Sequence, residues 1–217
     1  MKDIKVCIIN KKETYDYILN KHYAGRKPSI SFSYGLFIKG KIEGICTLGK
    51  PASNSLCEGV LGKEYKNKVY ELNRLVTEDN LPSNSLSYFV SKVLKELKKL
   101  DLILVSYADS GMNHCGYIYQ ATNWIYTGKT KERTDKFTEG NKHSRHYKNE
   151  NNHLRKLRTS KYRYIYFTGK SKKEYIKLLK YSILPYPKEE NKNYILGEKQ
   201  KTKVINKDDD SFYFVWY

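Results

Sequence analysis

The chain has 217 residues, enough for one domain with an extension or two small domains, and long enough to bury a core without a disulfide scaffold. Lys and Arg number 41 against 23 Asp and Glu, and a formal charge of +18 points to a polyanionic partner, nucleic acid before an anionic membrane surface. A content of 39% hydrophobic and 14% aromatic residues argues against disorder, and apolar runs such as Leu102–Val105 are far too short to span a membrane. Met1–Asn10 offers only Val6–Ile9 as an apolar core, so no secretory signal is expected. Cys7, Cys46, Cys57 and Cys115 are scattered without zinc-ligand spacing and read as reduced thiols of a cytoplasmic protein.

In chain order, Lys5–Ile9 reads as a strand and Lys11–His22 as a helix, with Tyr15, Ile18, Leu19 and His22 on one face. A hairpin follows, Tyr34–Ile38 and Ile42–Leu48 around Lys39-Gly40-Lys41. The stretch Gly49–Lys68, rich in Gly, Ser and Asn, reads as a loop, and Val69–Val76 as a fourth strand. Leu86, Phe89, Val90, Val93, Leu94, Leu97 and Leu100 mark an amphipathic helix for which Ser85 or Ser87 would serve as cap. Leu102–Val105 has the length of a buried parallel strand and runs on to Tyr107-Ala108-Asp109-Ser110. A short helix at Gly116–Asn123, strands at Trp124–Tyr126 and Tyr162–Phe167, and a basic helix at Lys172–Leu179 complete the pattern. Lys188–Asp210 is polar, and Phe212–Tyr217 suits an edge strand. The expected architecture is α/β: a mixed central sheet flanked by helices, with residues 1–140 as the core and 141–217 as a basic C-terminal extension.

Charge concentrates in that extension. Residues 142–180 hold thirteen Lys or Arg against two Glu, a net +11 in 39 residues, interleaved with His143, His146, Tyr147, His153, Tyr162, Tyr164 and Tyr166. Cations fix phosphates and planar rings stack on bases, so Arg145, Lys148, Arg155, Lys156, Arg158, Lys161 and Arg163 are the candidate nucleic-acid contacts. A solvated basic face from an AT-rich genome is the plainer alternative.

Four features could carry chemistry, and each has a plainer reading. Asp109 ends a buried strand, where a carboxylate is either functional or caps the next turn. Arg74 lies in a mostly covered strand and needs an acid or a phosphate; it would pair with Asp109 if their strands are neighbours, or with Glu71. The loop Asn80–Ser87, with Ser83, Asn84 and Ser85 at its centre, opens a helix whose free amides suit an anion or oxyanion. His22 and Tyr119 could act as polar site groups, although from the residues alone plain packing is the favoured reading of each. His143, His146 and His153 lack a completing metal ligand, and Cys115 beside His114 is poorly arranged for a nucleophile.

Several segments, in this order, resemble the Mom family of phage DNA-modification proteins, and the strand–helix order resembles the GNAT acyltransferase fold. They are His22-Tyr23-Ala24-Gly25-Arg26, Glu71-Leu72-Asn73-Arg74-Leu75, Asn84-Ser85-Leu86-Ser87, Tyr107-Ala108-Asp109-Ser110, and Tyr117-Ile118-Tyr119-Gln120-Ala121-Thr122-Asn123-Trp124, followed by Arg163–Phe167 and Leu184-Pro185-Tyr186-Pro187. The resemblance implies conversion of adenine in double-stranded DNA to its carbamoylmethyl derivative at the exocyclic amine, which shields DNA from restriction. It points to His22, Arg74, Ser87, Asp109 and Tyr119 as site residues.

On that reading Asp109 would accept the amine proton, Arg74 would orient it or clamp a phosphate, and amides near Ser85–Ser87 would stabilise an oxyanion. Tyr119 would protonate the leaving group, and His22 would position base or donor. GNAT enzymes hold the acyl-CoA pyrophosphate in a Gly-containing turn, whereas Asp79–Ser87 has no Gly. The added group has the atoms of a glycyl unit, so the donor is expected to be an acyl-CoA or glycyl-tRNA, with tRNA then a second partner beside DNA. The alternatives are an ordinary GNAT N-acetyltransferase acting on a small amine or protein, and a non-enzymatic DNA-binding protein on a transferase fold.

Overall fold

The computed structural model describes residues 3–140, 142, 144–190, 192 and 195–216. Its main element is a seven-stranded mixed sheet made of β1 (Ile4–Ile8), β2 (Phe32–Ile38), β3 (Lys41–Gly49), β4 (Val69–Thr77), β5 (Ile103–Asp109), β9 (Lys161–Phe167) and β6 (Ile125–Lys129), in that spatial order. Every neighbouring pair is antiparallel except β4 and β5, which run parallel.

The alternation along β5 explains why helices cover both faces. Leu102, Leu104 and Ala108 join one core with Phe89, Val90, Val93, Leu94 and Leu97 of α2 (Ser85–Leu97), while Ile103 and Val105 join another with α1 (Asn54–Leu61) and Tyr175 of α4 (Lys172–Leu178). Each fully buried side chain on α2 stabilises the fold by roughly 1.5–3 kcal/mol, and five of them hold this helix on the sheet. α3 (Tyr117–Ala121) packs Tyr119 into the same core. It starts at Gly116 (φ 89°), where a Cβ would lie 2.3 Å from the Tyr164 ring.

A second sheet of four strands, in the order β11-β10-β8-β7, is built from β7 (Arg133–Lys136), β8 (Leu154–Arg158), β10 (Lys201–Asn206) and β11 (Phe212–Trp216). The residues expected to form an extension thus do two things. They supply three of this sheet's four strands, β7 coming from residues 133–136 of the expected core, and they place β9 between β5 and β6 of the main one.

Four expectations need correction. The regular helix over Lys11–His22 is instead a 3-10 turn at Lys11–Thr14, boxed by Asn10 and Glu13, followed by a wide turn at Tyr17–Lys21. The Thr14 hydroxyl donates to Lys11 O (2.7 Å), the kind of local bond that competes with a regular helix. The loop over Gly49–Lys68 contains α1, whose cap is Ser53, accepting from Leu56 N at 3.2 Å. The cap of α2 is neither Ser85 nor Ser87 but Asn84, in the left-handed conformation (φ 65°). β10 lies in the stretch expected to be polar, and β7 and β8 lie between Tyr126 and Tyr162, where no strand is expected. The edge strand at the C-terminal end is β11, with Tyr217 outside the described residues. All four cysteines are free, and among the described residues no helix is long and apolar enough to cross a membrane.

Candidate functional site

β4 and β5 pair only through Val69–Glu71 and Ile103–Val105 and then part. A bulge at Asn73, where Thr47 faces Arg74 but Leu48 faces Leu72, bends β4 further at this point. The resulting cleft holds about 1180 Å³. Its walls are β4, the loop into α2, the end of β5, Tyr119, the His22–Lys27 segment and the cationic face of the second sheet. Of the five residues to which the resemblance points, all line it: His22, Arg74, Ser87, Asp109 and Tyr119.

Their local geometry differs from expectation at Asp109. This carboxylate is 3% exposed and fully engaged. Its Oδ1 accepts from Gly111 N (3.0 Å) and Thr159 Oγ1 (2.6 Å), and its Oδ2 meets Lys161 Nζ at 2.8 Å. Lys161 is its cross-strand partner on β9, so the pair follows from sheet register. The expected Arg74–Asp109 pair is therefore not formed. Arg74 instead donates from its terminal nitrogens to Asn73 O (2.6 Å) and Arg26 O (2.8 Å), tying β4 to the His22–Arg26 turn. Its buried Nε has no hydrogen-bond partner among the described residues, and burial lowers its pKa.

Ala24 N–H donates to His22 Nδ1 (2.9 Å), and burial with nearby Arg74 pushes the imidazole pKa well below 6.5, so the ring is neutral with its proton on Nε2. Its ring stacks on Tyr23, with centroids 4.3 Å apart. Ser106 Oγ lies 2.7 Å from the Tyr119 hydroxyl oxygen and 2.8 Å from Leu72 O. Because a carbonyl only accepts, the single serine proton goes to Leu72 and the Tyr119 hydroxyl donates to Ser106. Burial raises the pKa of Tyr119, which keeps the phenol protonated.

At the α2 end, Ser85 Oγ donates to Pro82 O (2.6 Å) and Ser87 Oγ to Asn84 O (3.0 Å). Ser83, Asn84 and Ser85 line the cleft here. Asn80 and Asn84 adopt positive φ (62° and 65°), taking the left-handed positions that glycine fills elsewhere. The lack of Gly thus does not prevent a tight turn.

The residue that sequence reasoning missed is Glu71. It lines the cleft at the last β4–β5 pair, and among the described residues its carboxylate has no hydrogen bond or ion pair. Burial raises its pKa, with Arg74 and Lys161 drawing it partly back. The signal was present: the argument applied to a charged Arg74 on a covered strand applies equally to an acid three residues earlier.

The candidate nucleic-acid contacts divide. Arg158 and Lys161 line the cleft together with Arg26 and Arg133. Lys156 and Arg158 share one face of β8, and Arg158 pairs with Asp135 at 3.0 Å. Arg155 lies on the opposite face, bonded to Asn152 O and Leu154 O (both 2.9 Å). Lys148 pairs with Glu139 and Glu150. Arg163 is pinned between Thr127 (2.9 Å to Oγ1 and O) and the Tyr181 ring (3.4 Å), away from the cleft. The side chain of Arg145 and the whole of His143 lie outside the described residues. Among the described residues no three His, Cys, Asp or Glu are grouped to hold a metal ion.

Among solved structures, the chain is similar to the ribosomal-protein-S5-alanine acetyltransferase of Vibrio fischeri at 9% identity, covering 77% of this chain and 94% of that one, with a TM-score of 0.49. It is also similar to an N-acetyltransferase of Staphylococcus aureus Mu50, at 12% identity over 76% and 99% of the two chains, TM-score 0.48. Among curated proteins it is 28% identical over 131 residues to the methylcarbamoylase Mom of Escherichia phage Mu, a match that spans 58% of this chain and about half (54%) of that relative. Residues 3–188, most of the chain, match the Mom protein family. The chain belongs to the Mom protein family.

Proposed function

We propose that this protein is a DNA-modifying transferase that attaches a carbamoylmethyl group to the exocyclic amine of adenine in double-stranded DNA, protecting that DNA from restriction. Family membership supports a transferase acting on DNA. The observation that carries the reading is that one cleft unites three parts: an anion-suited helix N-terminus, an unpartnered carboxylate, and a cationic rim formed by Arg26, Arg133 and Arg158. A donor and a polyanionic acceptor would meet at that carboxylate.

The adenine amine is paired in duplex DNA, so the base must leave the stack to enter the cleft. Forming the new N–C bond removes one amine proton. Glu71, whose lone pairs are free and whose pKa is raised, takes that proton; Asp109, saturated by three donors, positions Lys161 and the β5 end instead. The Nε2–H of neutral His22 orients base or donor, and the Tyr119 phenol, turning its proton away from Ser106, supplies it to the leaving group. Ser83–Ser87 and the orphaned Arg74 Nε fit the diphosphate of a CoA thioester, which when bound would supply an acyl unit carrying the two carbons and the nitrogen of a glycyl group, the C–S bond breaking as the N–C bond forms; the glycyl adduct is an isomer of the carbamoylmethyl one.

Mass spectrometry of nucleosides from plasmid DNA of expressing cells tests the proposal. The expected species is an adenosine heavier by a carbamoylmethyl group, absent with Glu71→Gln while DNA binding persists. Unmodified DNA in cells with abundant folded protein would point to an ordinary acetyltransferase. Label from glycine entering the base without dependence on CoA would assign the donor to glycyl-tRNA.

A further inference from the structure

The β10–β11 hairpin presents an outer face that the cleft chemistry does not use. Side chains alternate along β11, so Phe212, Phe214 and Trp216 share one side, and they are 55%, 47% and 62% exposed. Exposed edge strands are ordinarily blunted with charge, and three rings about half exposed within five residues are the kind of surface that marks an interaction. The register places Trp216 opposite Lys201 and Phe214 opposite Lys203, on this same face. Their ammonium groups already sit over the rings: Lys201 Nζ is 4.2 Å from the Phe214 centroid and 5.6 Å from that of Trp216, and Lys203 Nζ is 3.9 Å from Phe212. Ile205 faces Arg155 of β8, which extends the cationic column across the sheet.

We propose that this face binds single-stranded nucleic acid, with bases stacking on Phe212, Phe214 and Trp216 and phosphates taken by Lys201, Lys203 and Arg155. Charge complementarity selects the occupant. An apolar protein partner would have to desolvate the ammonium groups, whereas phosphates draw them off the rings and uncover ring faces for bases. A duplex has its bases already stacked and offers none to the rings. An anionic membrane plane would press the Asp208–Asp210 turn, with its three carboxylates, against headgroups; a flexible single strand passes beside it. The inference is independent of the reaction in the cleft, and its failure would leave that reading untouched.

The two tryptophans make the test specific, because Trp124 is fully buried and only Trp216 meets solvent. The full-length protein is titrated with a short oligothymidine while tryptophan emission is read, and binding is followed in parallel by anisotropy of a labelled oligothymidine. Expected is quenching by the single strand that disappears in Trp216→Phe while anisotropy still reports binding. Phe212→Leu with Phe214→Leu should weaken binding by roughly tenfold or more, since two of the three stacking platforms are lost. Thermal unfolding of each variant confirms that it is folded. Four outcomes would overturn the proposal: equal quenching by a hairpin duplex, indifference to the Phe changes, a spectral response to phosphatidylserine vesicles alone, or emission that changes only with self-association.

Discussion

Lys156 holds its ammonium in a half-buried place near the guanidinium groups of Arg26 and Arg158, and burial together with their repulsion lowers its pKa to about 8. The folded pKa lies below the unfolded one, so in the window between them the unfolded chain binds more protons, and this residue makes stability rise with pH. A phosphate brought to this face works the other way, since it favours the charged form. DNA binding should therefore take up a proton near pH 8, and affinity should fall as the pH is raised from 7 to 9. Lys156→Ala should flatten that dependence, measured by anisotropy across buffers at fixed ionic strength. The two cleft carboxylates offer a sharper contrast. Asp109→Asn removes an almost fully buried partner of Lys161 and should cost about 2 kcal/mol, or roughly 4–8 °C in Tm, while leaving measurable modification. Glu71→Gln breaks no bond present in the structure and should abolish modification with Tm nearly unchanged. Thermal unfolding set beside nucleoside mass spectrometry separates the two, and the reverse pattern would return the proton-acceptor role to Asp109.

At the scale of elements, the loop into α2 turns on Asn84. Its φ of 65° is strained for any residue with a Cβ, though Asn enters the left-handed region more readily than most. Asn84→Ala should destabilise the protein by about 1 kcal/mol and weaken donor use, whereas Asn84→Gly should keep both, as read by thermal unfolding and by modification at limiting donor. Such a turn was only half legible in the sequence. The loop's place before α2 followed from the apolar spacing of Phe89, Val90, Val93, Leu94 and Leu97, but a left-handed Asn leaves no periodic mark. The parallel β5 was legible for the same reason, as an apolar run covered on both faces. β7 and β8 were not. Of their residues only Arg133 and Arg158 line the cleft, and the two leucines of β8, Leu154 and Leu157, fall on opposite faces, so no apolar stripe betrays a strand. α1 was obscured by its Gly, Ser and Asn content, although Ser53 with Leu56, Cys57, Val60 and Leu61 spells a capped apolar face. Site partners were the least legible. That Asp109 meets Lys161, 52 residues later, is a product of sheet register, and spacing along the chain carries no trace of it.

For the whole molecule, a charge of +18 alone would predict generalised attraction to DNA, and the fold decides which cations count. Arg26, Arg133 and Arg158 rim the cleft, whereas Arg163, equally suspect from its place in the basic run, is held by Thr127 and Tyr181 on another side. Each phosphate neutralised by a cation releases counterions and steepens the fall of log affinity with log salt by about 0.9 on a duplex. Arg158→Ala should therefore shallow that slope by about 1 and weaken binding to all sequences alike. Arg163→Ala should leave the slope unchanged and act on stability instead, because what it removes is two hydrogen bonds and a ring contact within the fold. Anisotropy titrations of one duplex at several salt concentrations read both variants. If Arg163→Ala flattened the slope as much as Arg158→Ala, the charge would act as a uniform coat, and the cleft rim would have no special part in holding the duplex over Glu71.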